Sequence, residues 1–208
     1  MTLYGENYTH YQLDRGRFRR FVRQLYLDSA ARKVSGATVD FGCGIGALLQ
    51  RLPAGSIGLE INPISVEHCI AQGLHVEVYD ADTDNWSLGI LRREQGFKSL
   101  VASHVLEHLD EPMDKLSKLL KAANRLGIER VLVIVPGRRG YATDDTHRTF
   151  IDLEMLSQRA VVAGTGFELA ASQYFPGNLR VMGDWFPHHE LQATFRAIRV
   201  PCGTPDAA

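Results

Sequence analysis

The stretch Val39-Asp40-Phe41-Gly42-Cys43-Gly44-Ile45-Gly46 constrains this chain more than any other. An apolar run that ends in an acid and then alternates glycines reads as a buried strand turning sharply into the next element. Glycine is needed where a Cβ would block the turn or hold a ligand away from the backbone. In open α/β folds, ligands bind in the crevice at the carboxyl ends of the parallel strands.

The rest of the chain supplies such a sheet. Apolar segments at residues 37–41, 56–61, 75–79, 99–103, 129–135, 167–174 and 192–200 predict seven strands. Helices are predicted over 13–33, from the glycine loop to 52, and over 63–72, 85–95, 114–126 and 152–163. In the first, Phe18, Phe21, Val22, Leu25 and Tyr26 recur at helical spacing. Pro63 suits a first helical turn, and Gly73 a stop. Strands alternating with helices predict a doubly wound, mostly parallel α/β sheet.

A length of 208 residues fits one domain around one core. The formal net charge of −1 gives no electrostatic footprint for nucleic acid. No apolar run approaches the ~18 residues that span a bilayer, so no membrane partner is expected. Residues 1–14 carry no leader-like apolar core. Cys43, Cys69 and Cys202 are odd in number and far apart, which suits a reducing cytoplasm and suggests neither a disulfide framework nor a zinc knuckle.

The glycine loop by itself admits two ligands. Gly42, Gly44 and Ala47 satisfy the dinucleotide pattern G-x-G-x-x-G/A, and Glu60 lies 18 residues past Gly42, where a carboxylate binds a ribose diol. Asp40, however, stands where a dinucleotide site has an apolar residue. Asp80 and Asp82 close the third strand and add carboxylates to the same rim. Such a rim repels a pyrophosphate and tolerates a sulfonium, an ammonium and hydroxyl donors.

Taken together, VDFGCGIGALLQRL (39–52), IGLEINPISVEHC (57–69), VYDAD (78–82), SHVLEHLDEP (103–112), VLVIVP (131–136), THRTF (146–150) and GFELAASQYF (166–175) resemble a known family. The chain looks like a class I S-adenosylmethionine-dependent methyltransferase of the small-molecule type 11 or 23 branch. That resemblance implies a seven-stranded Rossmann-like sheet with its last strand antiparallel. It implies a helical lid at residues 1–35, an α/β methyltransferase domain at 36–200 and a disordered tail at 201–208. Asp40 with Gly42, Gly44 and Gly46 would hold the methionine end of S-adenosylmethionine, and Glu60 the ribose. Asp80, Ala81 and Asp82 would face the adenine, and Ser103 the methionine amino group. The family's K-P-G-G-type turn is replaced by Arg125-Leu126-Gly127-Ile128.

Several polar residues are candidates for the acceptor side. His104-Val105-Leu106-Glu107-His108 matches an inverted zinc-peptidase pattern, but His104 follows a strand directly and no third ligand is evident, so no metal is assigned. His108 is expected to make a structural hydrogen bond and His104 to face substrate. His147 is the candidate general base, since imidazole titrates near neutral pH. Arg148 is placed to clamp an anionic acceptor. Tyr8 and Tyr11, with Tyr4, His10 and Arg15, suggest a polar-aromatic substrate contact, and Trp185, Phe186, His188 and His189 a far wall.

Ser103-His104 is not the Asn/Asp-Pro-Pro-aromatic clamp that grips a flipped base. The family resemblance implies methylation of an oxygen or nitrogen of a small metabolite, by a monomer or homodimer. A NAD-type oxidoreductase and a catalytically silent cofactor-binding module are the alternatives.

Overall fold

The computed structural model describes residues 17–198, with side chains from residue 24 onward. Tyr4, Tyr8, His10, Tyr11 and Arg15 therefore lie outside the described residues, as do residues 1–16 of the proposed lid and the 201–208 tail.

The first described element is helix α1 (Arg17–Ala31), followed by β1 (Thr38–Phe41), β2 (Ile57–Glu60), α2 (Pro63–Ala71), β3 (Val76–Val78) and β4 (Ser99–Ser103). After these come α3 (Pro112–Arg125), β5 (Arg130–Pro136), the single turns α4 (Arg138–Tyr141), α5 (Leu153–Leu156) and α6 (Arg159–Val162), and finally β6 (Phe167–Phe175) and β7 (Glu190–Ala197). The strands form one sheet in the order β3-β2-β1-β4-β5-β7-β6. Pairings from β3 through β5 are parallel, and β7 runs antiparallel to both β5 and β6. The doubly wound sheet with a reversed last strand is thus as expected.

Both faces of the sheet's centre are covered, which is why β4 and β5 are mostly apolar, whereas much of the edge strand β6 is exposed. Val39, Leu100, Ala102, Val131, Val133 and Val135 pack on one face against Leu116, Leu119, Leu120 and Ala123 of α3. Val101, Leu132 and Ile134 alternate to the other face and meet Leu27 and Ala30 of α1, with Val34 beyond it. Among the described side chains of α1, Leu27, Ser29 and Ala30 are buried. Leu25, expected on the apolar face, is exposed. No helix among the described residues is long and apolar enough to cross a membrane.

Three expected helices are not formed as drawn. Residues 85–95 are a loop ending in a 3-10 turn, Arg93–Gln95, and Asn85, Trp86 and Leu88 all have positive φ. Asp84 organises this loop by accepting hydrogen bonds from the Tyr79 hydroxyl, the Ser87 hydroxyl and the Gly89 N–H. Those bonds compete with helix, and Trp86, Leu88 and Leu91 still reach the core. The segment 152–163 splits into α5 and α6, because Gln158 is not helical (φ −59°, ψ 131°). After the glycine loop only a 3-10 turn forms, Leu49–Arg51.

A cavity over the strand ends

The strand order reverses between β1 and β4, and a cavity of about 740 Å³ opens over the carboxyl ends there. Its floor is the turn after β1. Gly42 has φ +70°, and a Cβ on it would lie 2.6 Å from Val105 Cγ2. The Gly44 N–H donates to Glu60 Oε2 at 2.8 Å, and the Asn62 N–H to Glu60 Oε1 at 2.9 Å. Glu60 thus fastens the loop to the end of β2, while each oxygen keeps a second lone pair. Gly46 does not line the cavity. Its Cβ would meet Leu74 Cδ1 at 2.4 Å and Cys69 Sγ at 3.1 Å, so this glycine serves the packing of the loop on α2.

Asp40, Glu60, Asp80, Ala81, Asp82 and Ser103 all line the cavity, as do Gly42 and Gly44. They do not make a ring of four free charges. Asp40 is 2% exposed, and its Oδ2 has no hydrogen-bond partner. Burial, with the nearby charge of Glu60, pushes its pKa up to about 7 against a weaker opposing bond from the Leu49 N–H. Burial also raises the pKa of Glu60. Asp80 is exposed, but it accepts from the Thr83 hydroxyl and from the N–H groups of Asp82 and Thr83, which hold its carboxyl below the ordinary range. Asp82 Oδ1 accepts from Trp86 Nε1 at 2.9 Å and lies 3.5 Å from Lys115 Nζ. The unpartnered buried oxygen of Asp40 fits an ammonium donor. A pyrophosphate would instead place more negative charge beside two buried acids.

The acceptor-side wall is built on His104, a non-glycine residue with φ +56° at the turn after β4. Its Nδ1 is 3.1 Å from Glu107 Oε1, and its Nε2 is 2.9 Å from Glu190 Oε1 at the start of β7. Burial disfavours the imidazolium, but these two hydrogen bonds and the carboxylate charges outweigh it and push the pKa up to about 10. The ring keeps 36% of its surface and lies 6.3 Å from the Tyr26 ring of α1. No role is expected from sequence for Glu107 or Glu190, yet both are buried and both fix His104.

The loop after β5 closes against this turn. The N–H groups of Arg148 and Thr149 both donate to the Glu107 carbonyl, at 2.8 and 3.1 Å. That places His147 beside Glu107, with its Nε2 3.9 Å from Glu107 Oε1 and 4.0 Å from Asp144 Oδ2. His147 Nδ1 donates to the Tyr141 carbonyl at 2.8 Å, and its ring stacks on Tyr141. His108 Nδ1 lies 3.3 Å from the Thr146 carbonyl, the structural bond expected of it, and the His108 ring centroid is 4.8 Å from that of His147. Arg148 also lines the cavity, but its guanidinium is engaged by Asp110 at the surface. His188 and His189 line the cavity, whereas Trp185 and Phe186 do not, and Trp185 is 85% exposed.

The profile of the family described as "Methionine biosynthesis protein MetW" matches residues 27–136 of this chain. No curated protein matches it by sequence. Among solved structures, a SAM-dependent methyltransferase from Archaeoglobus fulgidus is similar at TM-score 0.65 and 17% identity, covering 92% of this chain and all of that one (100%). A magnesium protoporphyrin IX methyltransferase from Synechocystis PCC 6803 with bound SAH is similar at TM-score 0.61 and 14% identity, over 86% of this chain and 84% of that one. A small RNA methyltransferase, HEN1, is similar at TM-score 0.55 and 19% identity, over 88% of this chain and 25% of that one. The fold is that of class I methyltransferases.

Proposed function

We propose that this chain, which belongs to the MetW family, transfers the methyl group of S-adenosylmethionine to an oxygen or nitrogen of a small-molecule acceptor. The observation that carries this reading is the junction of two unlike walls in one cavity. Asp40, Glu60 and Asp82 lie with bare glycine backbone on one side, and His104 and His147 lie on the other. The methyltransferase fold and the SAH held by the Synechocystis protein support the cofactor. The methionine-biosynthesis description of the family supports a metabolite as acceptor, although the similar structures include enzymes named for porphyrin and RNA substrates.

When bound, S-adenosylmethionine supplies a methyl made electrophilic by its sulfonium. Asp40 would receive the ammonium of the methionine end, Glu60 the ribose hydroxyls, and Asp82 with the Ala81 backbone the adenine edge, with Ser103 beside the methionine amino group. The acceptor would rest against His104 and His147. Such positioning supplies several kcal/mol of barrier lowering, of the ~7–11 that intramolecular alignment can reach. His147 Nε2 takes the acceptor proton where the acceptor is a hydroxyl or a protonated amine. His104, held as imidazolium by two carboxylates, turns a positive edge toward the acceptor.

Isothermal titration tests this reading. S-adenosylhomocysteine binds at micromolar or tighter affinity and NADH does not. Binding of NADH in place of the adenosyl compound overturns it in favour of an oxidoreductase. Cofactor binding without methyl transfer to any of a broad metabolite panel overturns the enzymatic part.

A further inference from the structure

We propose that Glu107, His108 and His147 form a binding site for one divalent transition-metal cation, on the acceptor wall of the cavity. This departs from the sequence reading, which assigns the H-x-x-E-H stretch no metal. One ligand atom from each of the three lies within 4.8 Å of the others.

The surroundings set the histidine tautomers. His147 Nδ1 faces the Tyr141 carbonyl, and His108 Nδ1 faces the Thr146 carbonyl and, at 3.1 Å, the Thr146 hydroxyl, whose own proton goes to Asp144 Oδ1, so all three partners only accept. Both rings therefore carry their proton on Nδ1 and present a bare Nε2, the arrangement that outer hydrogen bonds impose on metal-binding histidines. Glu107 is completely buried, and its Oε2 has no hydrogen-bond partner. An ionised oxygen left so is costly, and a cation removes that cost. The other oxygen, Oε1, is held by His104 Nδ1 at 3.1 Å, which fixes the orientation of the carboxylate.

Asp144 offers a fourth ligand. Its Oδ1 accepts from the Thr146 N–H and hydroxyl, and its Oδ2 stands 4.0 Å from His147 Nε2. Ligands about 2.1 Å from a tetrahedral zinc lie roughly 3.4 Å apart, so the 4.0 Å between His147 Nε2 and Asp144 Oδ2 closes with a small side-chain rotation, and His147 Nε2 already stands 3.9 Å from the Glu107 carboxylate at its Oε1. Two imidazoles and one or two carboxylates suit zinc or manganese better than magnesium or calcium. His108, Asp144 and His147 line the cavity, so a position on the metal stays open to it. Activation of an acceptor oxygen there rests on the proposed methyl transfer, but binding of the metal does not. With the cation bound, His147 Nε2 is a ligand and the cation replaces it as the group that lowers the acceptor's pKa, whereas without the cation Nε2 is free to act as the base.

The test uses the full chain, stripped with chelator and titrated calorimetrically with zinc or manganese alone. One equivalent binds to the wild type. His108→Ala and His147→Ala each weaken binding at least tenfold, while His75→Ala on the far edge of the sheet matches the wild type. Glu107→Gln does the same as the two ligand variants if it folds, as judged by its melting curve. S-adenosylhomocysteine is titrated separately, so a failure of the cofactor reading shows in that experiment and not in this one. Absence of stoichiometric metal uptake by the wild type, or unchanged affinity in His108→Ala and His147→Ala, overturns the site and leaves the cluster as hydrogen-bonded scaffolding.

Discussion

Asp40 shows how a residue that serves a ligand weakens the fold that holds it. Its folded pKa of about 7 stands above the ordinary 3.8 of an aspartate. The unfolded chain therefore ionises first, and stability falls as pH rises from about 4 to 7. Asp40→Asn removes that penalty. At about pH 8 the variant unfolds at higher denaturant than the wild type, by roughly 1 kcal/mol or more, while its affinity for S-adenosylhomocysteine falls at least tenfold. The wild-type affinity itself declines below about pH 7, as Asp40 takes up a proton and loses its attraction for an ammonium. Calorimetry from roughly pH 5.5 to 8.5 reads the decline, and a flat profile means no ammonium sits there. His104 has the opposite sign. Its folded pKa of about 10 exceeds the ordinary 6.5, so its contribution is complete below about 6.5 and is lost as pH rises toward 10. Glu190→Gln removes one of its two carboxylates. The wild type loses more melting temperature between roughly pH 7 and 9.5 than this variant does, and equal losses would show that Glu190 does not hold the charge.

At the level of elements, the loop after β1 depends on the turn after β4. Gly42→Ala introduces strain at φ +70° and drives a Cβ to 2.6 Å from Val105, a stiff β-branched side chain. A stability loss of about 1–3 kcal/mol is expected, with weaker cofactor binding, since the loop must shift off Val105. Urea denaturation and calorimetry on the same samples check it, and a variant as stable as the wild type refutes the strained turn. The loop and the parallel strands are legible in the sequence because buried parallel strands are apolar runs punctuated by glycine and proline, and the antiparallel pair β6 and β7 because it still alternates apolar residues at Phe167, Leu169, Leu191, Ala193 and Phe195. The helix expected over 85–95 is not, because Asp84 draws Tyr79, Ser87 and Gly89 into a loop whose apolar residues bury just as well. Glu107 and Glu190 carry no local signal either. Glu107 lies three residues from His104 within a short 3-10 turn, where only the turn's geometry aims it back at the ring, and the fold alone brings Glu190 to His104 across 86 residues of chain. The same holds for His147, a residue of the right type whose partners Glu107 and His108 are supplied by a different strand end.

In the whole molecule, the sheet divides the cavity between two sets of elements. The ends of β1, β2 and β3 supply Asp40, Glu60 and Asp80 to Asp82. The turn after β4, the loop after β5 and the start of β7 supply His104, His147 and Glu190. Parallel strands on either side of the β1–β4 reversal send their following loops to the same edge, so two separately braced walls face one space. Glu60 braces one by holding the Gly44 and Asn62 N–H groups, and the Glu107 carbonyl braces the other by holding Arg148 and Thr149. Separate bracing predicts separable energetics. His147→Ala lowers turnover about a hundredfold or more on any acceptor the wild type methylates, yet changes S-adenosylhomocysteine affinity by no more than about twofold. Asp40→Asn does the reverse, losing cofactor affinity first. In the double variant, the loss of cofactor affinity equals that of Asp40→Asn alone to within about 0.5 kcal/mol, the scatter of independent sites. A larger deviation would mean that the walls move together when the cofactor enters, with the β4 turn, where Gly42 meets Val105, as the place that couples them.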